Sequence, residues 1–325
     1  MGLTNFPNGI TSFGVPVMPG SNGLVAYRDV YFVDGTNGDD ANDGLSLGEA
    51  KATVQAALNL VQDEDTIIVM RGSYDEALTT GQLIGTAAMV AGRGRYCNLV
   101  GAAPTQWAYD SPQLYNVSGA TATLRMRSPG WRVSGFRLVG DSGSPLILQL
   151  NLNQAAATAS TDWSPGTTID NCVFYGAVAN CNGIDFVGAP PNCRILNNIF
   201  ELFPSTGTAM LSSSSGIAQA NRTVIAGNIF QDNTNNIDLN PRGFWASFFI
   251  SNYFMAGKTN TLTVGLDNTG GNSCCVTKNF LGGSEYGAAM YIAGTGDNWA
   301  GNITTDDGAT NILADTPWTQ GNPAT

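Results

Sequence analysis

The sequence predicts an all-β protein: a single-stranded right-handed parallel β-helix (solenoid) with an N-terminal capping helix and a short extended N-terminal arm. Three observations carry this expectation. A six-residue pattern, apolar-x-x-Asn-x-Phe, recurs through the second half of the 325-residue chain. Its copies are separated by 23 to 30 residues, the period of coils that bury a face only against their neighbours. With 40 glycines and 12% charged residues, the surface must be covered mainly by Asn, Ser, Thr and Gly.

Taken from the N-terminus, residues 1–28 form an extended arm. NFPNGITSFGVPVMPGSNG is rich in turn residues and carries isolated apolar side chains, Phe6, Ile10, Phe13, Val15 and Val17. It is too short and broken to fold alone, so it orders only against another surface. The β-helix is expected over 29–305. Its opening, YFVDGTNGDDANDGLS, crowds six Asp or Asn residues into ten positions. Ser46 and Glu49 have capping-box spacing, and Val54, Ala57, Leu58 and Val61 follow at i, i+3, i+4 and i+7, which predicts an amphipathic helix over 47–62 that caps the open end of the solenoid. TIIVM (66–70) reads as the first strand after it, and NLVGAAPT (98–105) as the start of a later coil.

The repeat proper begins with VSGFRL (133–138) and continues through IDNCVF, ILNNIF, IAGNIF, FISNYF, VTKNFL and WAGNIT. The register position holds Phe136, Cys172, Asn198, Asn228, Asn252, Asn279 and Asn302. Unequal gaps fit a β-helix, whose turns accept insertions while strands stay in register. Coils stacked at about 4.8 Å would place each apolar residue over its counterpart and align the asparagines into a hydrogen-bonded ladder. Asn at the bend tolerates left-handed backbone geometry, and the recurring Phe forms a second, aromatic column. Both columns read as scaffold; an aromatic sugar platform would instead need the rings to face outward. Residues 306–325 are left as a C-terminal tail.

A net charge of −11 with three lysines disfavours nucleic acid and anionic membrane surfaces as partners. No run of 18 apolar residues is present to insert into a bilayer, and the N-terminal residues lack the basic and apolar regions of a signal peptide. Six cysteines in a chain this long do not make a disulfide scaffold; Cys172, Cys181 and Cys193 read as buried free thiols, and the adjacent Cys274 and Cys275 face opposite ways on a strand, which disfavours a shared metal. The chain has no histidine, which removes the Ser-His-Asp triad and most zinc sites.

The order YFVDGTNGDDANDGLS, AKATVQAALNLV, DTIIVMRGSYDE resembles the opening of pectate-lyase-like right-handed β-helix proteins, and the resemblance covers about residues 31–76. That scaffold serves lyases, hydrolases, epimerases, tailspikes and other virion appendages, so the resemblance implies a fold more than a chemistry. The arm is similar to the short arms that open phage structural proteins. Together these imply a bacteriophage virion protein located on the particle. The implied partners are the major capsid protein or another virion protein and further copies of the chain in a homotrimer, with a head decoration or fibre favoured over a long tailspike. A receptor-binding tailspike that binds or depolymerises a host surface glycan is the alternative, and a polysaccharide lyase the next.

Catalytic equipment is sparse. Lyases of this fold pair calcium-holding aspartates with an Arg or Lys base, and glycoside hydrolases need two carboxylates at defined spacing. Most of the coil acids fall at differing offsets from the register asparagine, so they need not share one face. One constellation is conceivable, Asp232, Asp238 and Arg242 on one coil with Glu201 from the coil before; the alternative is ordinary turn and surface charge. In the opening loop Asp34, Asp39, Asp40 and Asp43 could cage calcium, but no register gives an EF-hand loop, and consecutive turns are the plainer reading. No cofactor is otherwise expected.

Overall fold

The computed structural model describes residues 28–76, 78–79, 94–102, 111–115, 122–140, 146–151, 164–176, 178–187, 190–204, 206–212, 220–255, 260, 262–282 and 290–305, with the short strands Thr11–Ser12, Val15–Pro16, Leu83–Ile84, Ala88–Met89 and Asn311–Ala314. Among these residues three long sheets run the length of the molecule, with ten, ten and eight strands. Each of eight full coils contributes one strand to each sheet; a ninth adds strands to sheets 1 and 2, and Val30–Val33 and Asn311–Ala314 are edge strands of sheets 1 and 2. In the coil that starts at residue 224, Val224–Ala226 lies in sheet 1, Ile229–Gln231 in sheet 2 and Asn235–Asp238 in sheet 3; the chain then re-enters sheet 1 one layer on, at Phe248–Ile250. Coil-to-coil pairing is parallel and keeps register throughout, as in Ile195↔Ile225↔Phe249↔Val276↔Trp299.

The interior is a set of stacked columns. Sheet 1 supplies the apolar column just named, and sheet 3 supplies Leu124, Leu148, Ile184, Met210, Ile237, Leu266 and Tyr291 in register. All of these are buried. Sheet 2 carries the recurring phenylalanine: Phe174, Phe200, Phe230 and Phe254 stack with centroids 4.6, 4.9 and 5.0 Å apart and rings within 11° of parallel. The strand spacing sets these distances, so offset stacking follows from placing Phe at one register position. The column faces inward and is scaffold.

Between sheets 1 and 2 runs the asparagine ladder. The Oδ1 atoms of Asn228, Asn252, Asn279 and Asn302 each accept from the backbone N–H and the Nδ2 of the ladder residue one coil earlier, at 2.9–3.1 Å. Each Nδ2 also donates back to a carbonyl of the preceding coil, as Asn252 does to Ile225 at 2.9 Å. The ladder ends at Cys172, whose N–H donates to Asn198 Oδ1 at 2.9 Å. One detail differs from expectation. The left-handed residue is the one before the ladder position: Gly135, Asn171, Asn197, Gly227, Ser251, Lys278 and Gly301 have φ between 51° and 82°. The bend is made there, which leaves the ladder asparagine free to turn its amide inward. A second left-handed position recurs two residues before sheet 1 strands, at Tyr96, Gly130, Gly166, Asn192, Arg222, Ala246, Ser273 and Gly296.

The capping helix is shorter than its periodicity suggests. Leu47–Glu49 is a single 3-10 turn, Ser46 makes no side-chain cap, and the α-helix spans only Val54–Leu58, capped by Thr53, whose hydroxyl accepts from Ala56 N–H. Ala50 and Lys51 are drawn out of the helix by strand pairing, with Lys51 N–H donating to the Phe32 carbonyl and its own carbonyl accepting from Asp34 N–H. Val54, Ala57, Leu58 and Val61 are nonetheless buried against the first coils, so the apolar face does its expected work. At the far end Asn311–Ala314 pairs antiparallel with Asn302–Thr305 and closes the edge of sheet 2. Within the arm, Thr11–Ser12 and Val15–Pro16 pair antiparallel, which places Val15 on a strand. Phe6, Ile10, Phe13 and Val17 lie outside the described residues, as does the tail apart from Asn311–Ala314.

All six cysteines are free, and every one but Cys275 is buried. Burial pushes the thiols of Cys97, Cys172, Cys181, Cys193 and Cys274 up to about 12, which leaves them protonated and inert at neutral pH. Cys274 and Cys275 point to opposite faces, as strand alternation requires.

Candidate functional site

The acidic opening loop is held by its own aspartates. Asp34 accepts from the N–H groups of Thr36 and Asn37, Asp39 from Ala41 and Asp43 from Leu45, each bond closing a tight turn. Asp40 reaches further and accepts from Ala52 N–H, Thr53 N–H and Thr53 Oγ1 at 2.8–3.0 Å. Glu76, from the first coil, accepts from Val54 and Gln55 N–H at 2.8 and 2.9 Å. Glu76 thus satisfies the first two amides of the helix and Asp40 the N-cap amide before them, and the capping-box reading included neither carboxylate. Lys51 Nζ donates to the Asp40 carbonyl at 2.8 Å, a basic partner within the loop. Each aspartate faces a different set of backbone amides, and no group of three His, Cys, Asp or Glu side chains is placed to hold a metal among the described residues.

The four coil residues singled out above are spread over the cross-section. Glu201 ends a sheet 2 strand and accepts from Gln231 Nε2 at 3.0 Å. Asp232 turns the next coil out of sheet 2 in left-handed geometry, and Asn260 N–H donates to its carboxylate at 2.7 Å. Asp238 lies at the other end of the sheet 3 strand Asn235–Asp238, about 10 Å further along at the usual rise per residue. Arg242 follows in the turn after the cis Asn240–Pro241 bond. One strand therefore separates Glu201 and Asp232 from Asp238 and Arg242.

What the fold does bring together was not expected. Asp238 and Asp267 are register partners on adjacent coils of sheet 3, and Asp185 stands in the same column two coils earlier, with Leu211 between. Three of the coil acids do share a face. Variable turn lengths hid this, because the three lie 13, 10 and 15 residues beyond Cys172, Asn228 and Asn252. A signal was present in the repeated apolar-Asp pair that ends Gly183-Ile184-Asp185, Asn236-Ile237-Asp238 and Gly265-Leu266-Asp267. Strand spacing of about 4.8 Å sets the two neighbouring carboxyl groups near the separation of about 5 Å that a retaining glycoside hydrolase uses. Asp267 is buried and accepts from Thr269 N–H at 2.8 Å, while Asp238 is partly exposed and accepts from Asn240 N–H at 3.1 Å. Burial, opposed by the Asn240 bond and reinforced by the Asp267 charge, pushes the Asp238 carboxyl above its ordinary value. Chemically the pair sets one carboxyl inclined to hold a proton beside a second acidic side chain.

Desolvation likewise raises Asp65 and Glu76, whereas Asp34, bonded by the Asn37 side chain, is lowered. A raised carboxyl binds its proton more tightly in the folded state. Its stabilisation is full below the ordinary carboxylate value near 4 and is lost as pH rises through the raised value. Asp34 acts in the opposite sense, its contribution present above its ordinary value and lost as pH falls through the lowered one. With three groups against one, and self-repulsion of the −11 chain relaxing as acids are protonated, the melting temperature is expected to rise as pH is lowered from neutral toward about 4. A circular-dichroism melt that falls over that interval contradicts the assignment.

The in-register three-sheet coil with its asparagine corner is a right-handed parallel β-helix of the pectate-lyase-like kind. Pectate lyase Pel9A matches with a TM-score of 0.52 and 12% identity over 91% of this chain and 82% of its own. The Escherichia coli protein ybhc matches with 0.51 and 11% identity over 97% and 90%, and an alginate lyase from Paenibacillus sp. str. FPU-7 with 0.49 and 14% identity over 78% and 94%. At these identities the likeness is one of fold. No protein-family model and no curated protein matches the chain.

Proposed function

We propose that this chain is a structural protein of a bacteriophage virion, a capsid-attached decoration or fibre of β-helix type that docks through its N-terminal arm and performs no catalysis. The observation that carries the reading is how the charged side chains are used. The loop aspartates, Glu76 and Asp232 accept from the chain's own amides, and Glu201 is bonded to Gln231 one coil on, while Glu201 and Asp232 stand a strand's length from Asp238 and Arg242. The polar groups go into making a rigid rod. The resemblance of residues 1–28 to phage arms supports the docking role. Deleting residues 1–20 is expected to abolish binding to empty capsids of the phage that encodes the chain and to leave a folded β-helix. Retained binding overturns arm docking.

A second reading, cleavage of a host surface glycan by a tailspike-like protein, is favoured by the Asp238–Asp267 pair. It predicts shortened oligosaccharides from host polysaccharide and their loss in Asp238→Asn. Appearance of such products overturns the non-catalytic reading, and calcium-dependent unsaturated products would make the chain a lyase.

A further inference from the structure

Eight large apolar side chains are exposed among the described residues, and five of them belong to the last coils. Four lie on the single coil 244–255: Trp245 (51% exposed), Phe248 (43%), Tyr253 (53%) and Met255 (42%); Ile303 (46%) stands two coils further on. Three of them, Phe248, Tyr253 and Ile303, fall on two neighbouring outward columns, and Trp245 precedes them on the turn that enters sheet 1. Tyr253, Phe280 and Ile303 form one outward column of sheet 2, in which the Tyr253 and Phe280 rings stack at 6.0 Å. Val224, Phe248 and Cys275 form the neighbouring outward column of sheet 1, across the left-handed corner. The patch therefore wraps one edge of the solenoid.

Charge divides the same coils. Residues 224–231, 248–255, 275–282 and 298–305, which build sheets 1 and 2 here, contain no Asp or Glu and one cation, Lys278. The described acids of these coils, Asp232, Asp238, Asp267 and Asp297, lie on sheet 3 or in its flanking turns. In a chain of net charge −11, this edge is where a like-charged surface can approach without carboxylates opposing it. Four coils at about 4.8 Å and two three-residue strands with their corner make a face of about 500 Å², or about 1,000 Å² when two copies meet, the size at which specific interfaces begin. Met255, Ile303 and Val224 beside the rings suit a dry protein contact better than a sugar face, which stacks on rings and bonds to polar neighbours.

We infer that this acid-free apolar edge is a self-association surface whose partner is a second copy of the chain. The inference deepens the structural-protein reading by placing on this edge the contact between copies that the resemblance only implies, and it stands or falls apart from capsid docking, because the purified chain alone tests it. Sedimentation velocity of the full chain over a concentration series should give a species larger than one chain. Tyr253→Arg and Phe248→Arg should weaken association by more than about tenfold, the scale of a central contact residue. Leu47→Arg, an equally exposed apolar residue at the other end, should change nothing. A chain that stays monomeric overturns the inference, as does association indifferent to the two edge substitutions. Should those variants fail to fold, Cys275 on the same column decides. Its alkylation in the unaltered chain should slow as concentration rises, and a rate independent of concentration overturns the inference. Quenching of Trp245 fluorescence by an oligosaccharide without self-association reassigns the edge to a glycan and likewise overturns it.

Discussion

Asn252→Leu is expected to remove a large part of the stability of the C-terminal coils. Asn252 is fully buried, and its side chain answers four groups: it accepts from Asn228 N–H and Asn228 Nδ2 and donates to the Ile225 carbonyl and Asn279 Oδ1, all at 2.9–3.0 Å. Leucine fills a similar volume, so the experiment isolates the polar loss. Two backbone groups, Asn228 N–H and Ile225 C=O, are left without these side-chain partners inside the solenoid, and the amide chain is cut in its middle. At about 1–3 kcal/mol for each unsatisfied buried group, the two together cost about 2–6 kcal/mol, a large share of the stability of an ordinary domain. Because coils contact only their neighbours, the loss should fall on the interfaces from residue 225 to residue 279. Urea unfolding followed by circular dichroism, with hydrogen exchange to locate the weakened coils, measures it. A change under about 1 kcal/mol would mean that the ladder is ornament and that the sheets alone hold the coils together.

Phe230→Ala is the second large effect. Phe230 sits in the stacked column with Phe200 at 4.9 Å and Phe254 at 5.0 Å, fully buried, with coils above and below fixed by backbone bonds. The ladder and the sheet register prevent the neighbours from closing the gap. The cost should therefore lie in the upper part of the range for such truncations, about 3–5 kcal/mol. Phe230→Leu keeps most of the volume and should cost less than half as much. Equal effects from the two substitutions would show that collapse, rather than the stacked column, sets the energy.

The two columns were readable in the chain because they sit at a fixed distance from one another within each repeat. Asn228 and Phe230, Asn252 and Phe254, Asn198 and Phe200 are always two apart, so a short pattern captures both the corner and the strand after it. The helix was misjudged in length for a physical reason. The i, i+3, i+4, i+7 spacing is a one-dimensional signal, and at Ala50 and Lys51 the backbone bonds of Lys51 to Phe32 and Asp34 outweigh it. Similarly, the capping carboxylates Asp40 and Glu76 are 13 residues before and 22 residues after the helix positions they serve, Thr53 and Val54, beyond the reach of a local capping rule.

By itself the sequence determined the solenoid, its parallel coils, the inward ladder and aromatic column, and the buried state of Cys172, Cys181 and Cys193. These follow from periodic positions in a chain whose strand segments have nearly constant length. Which side chains meet on the outer surface was decided only by the tertiary structure. The turns between sheets 2, 3 and 1 differ in length from coil to coil, and register across sheet 3 is restored by backbone pairing rather than by residue count. Asp238 and Asp267 became neighbours in that way, and the exposed edge from Phe248 to Ile303 stood apart from the acids for the same reason.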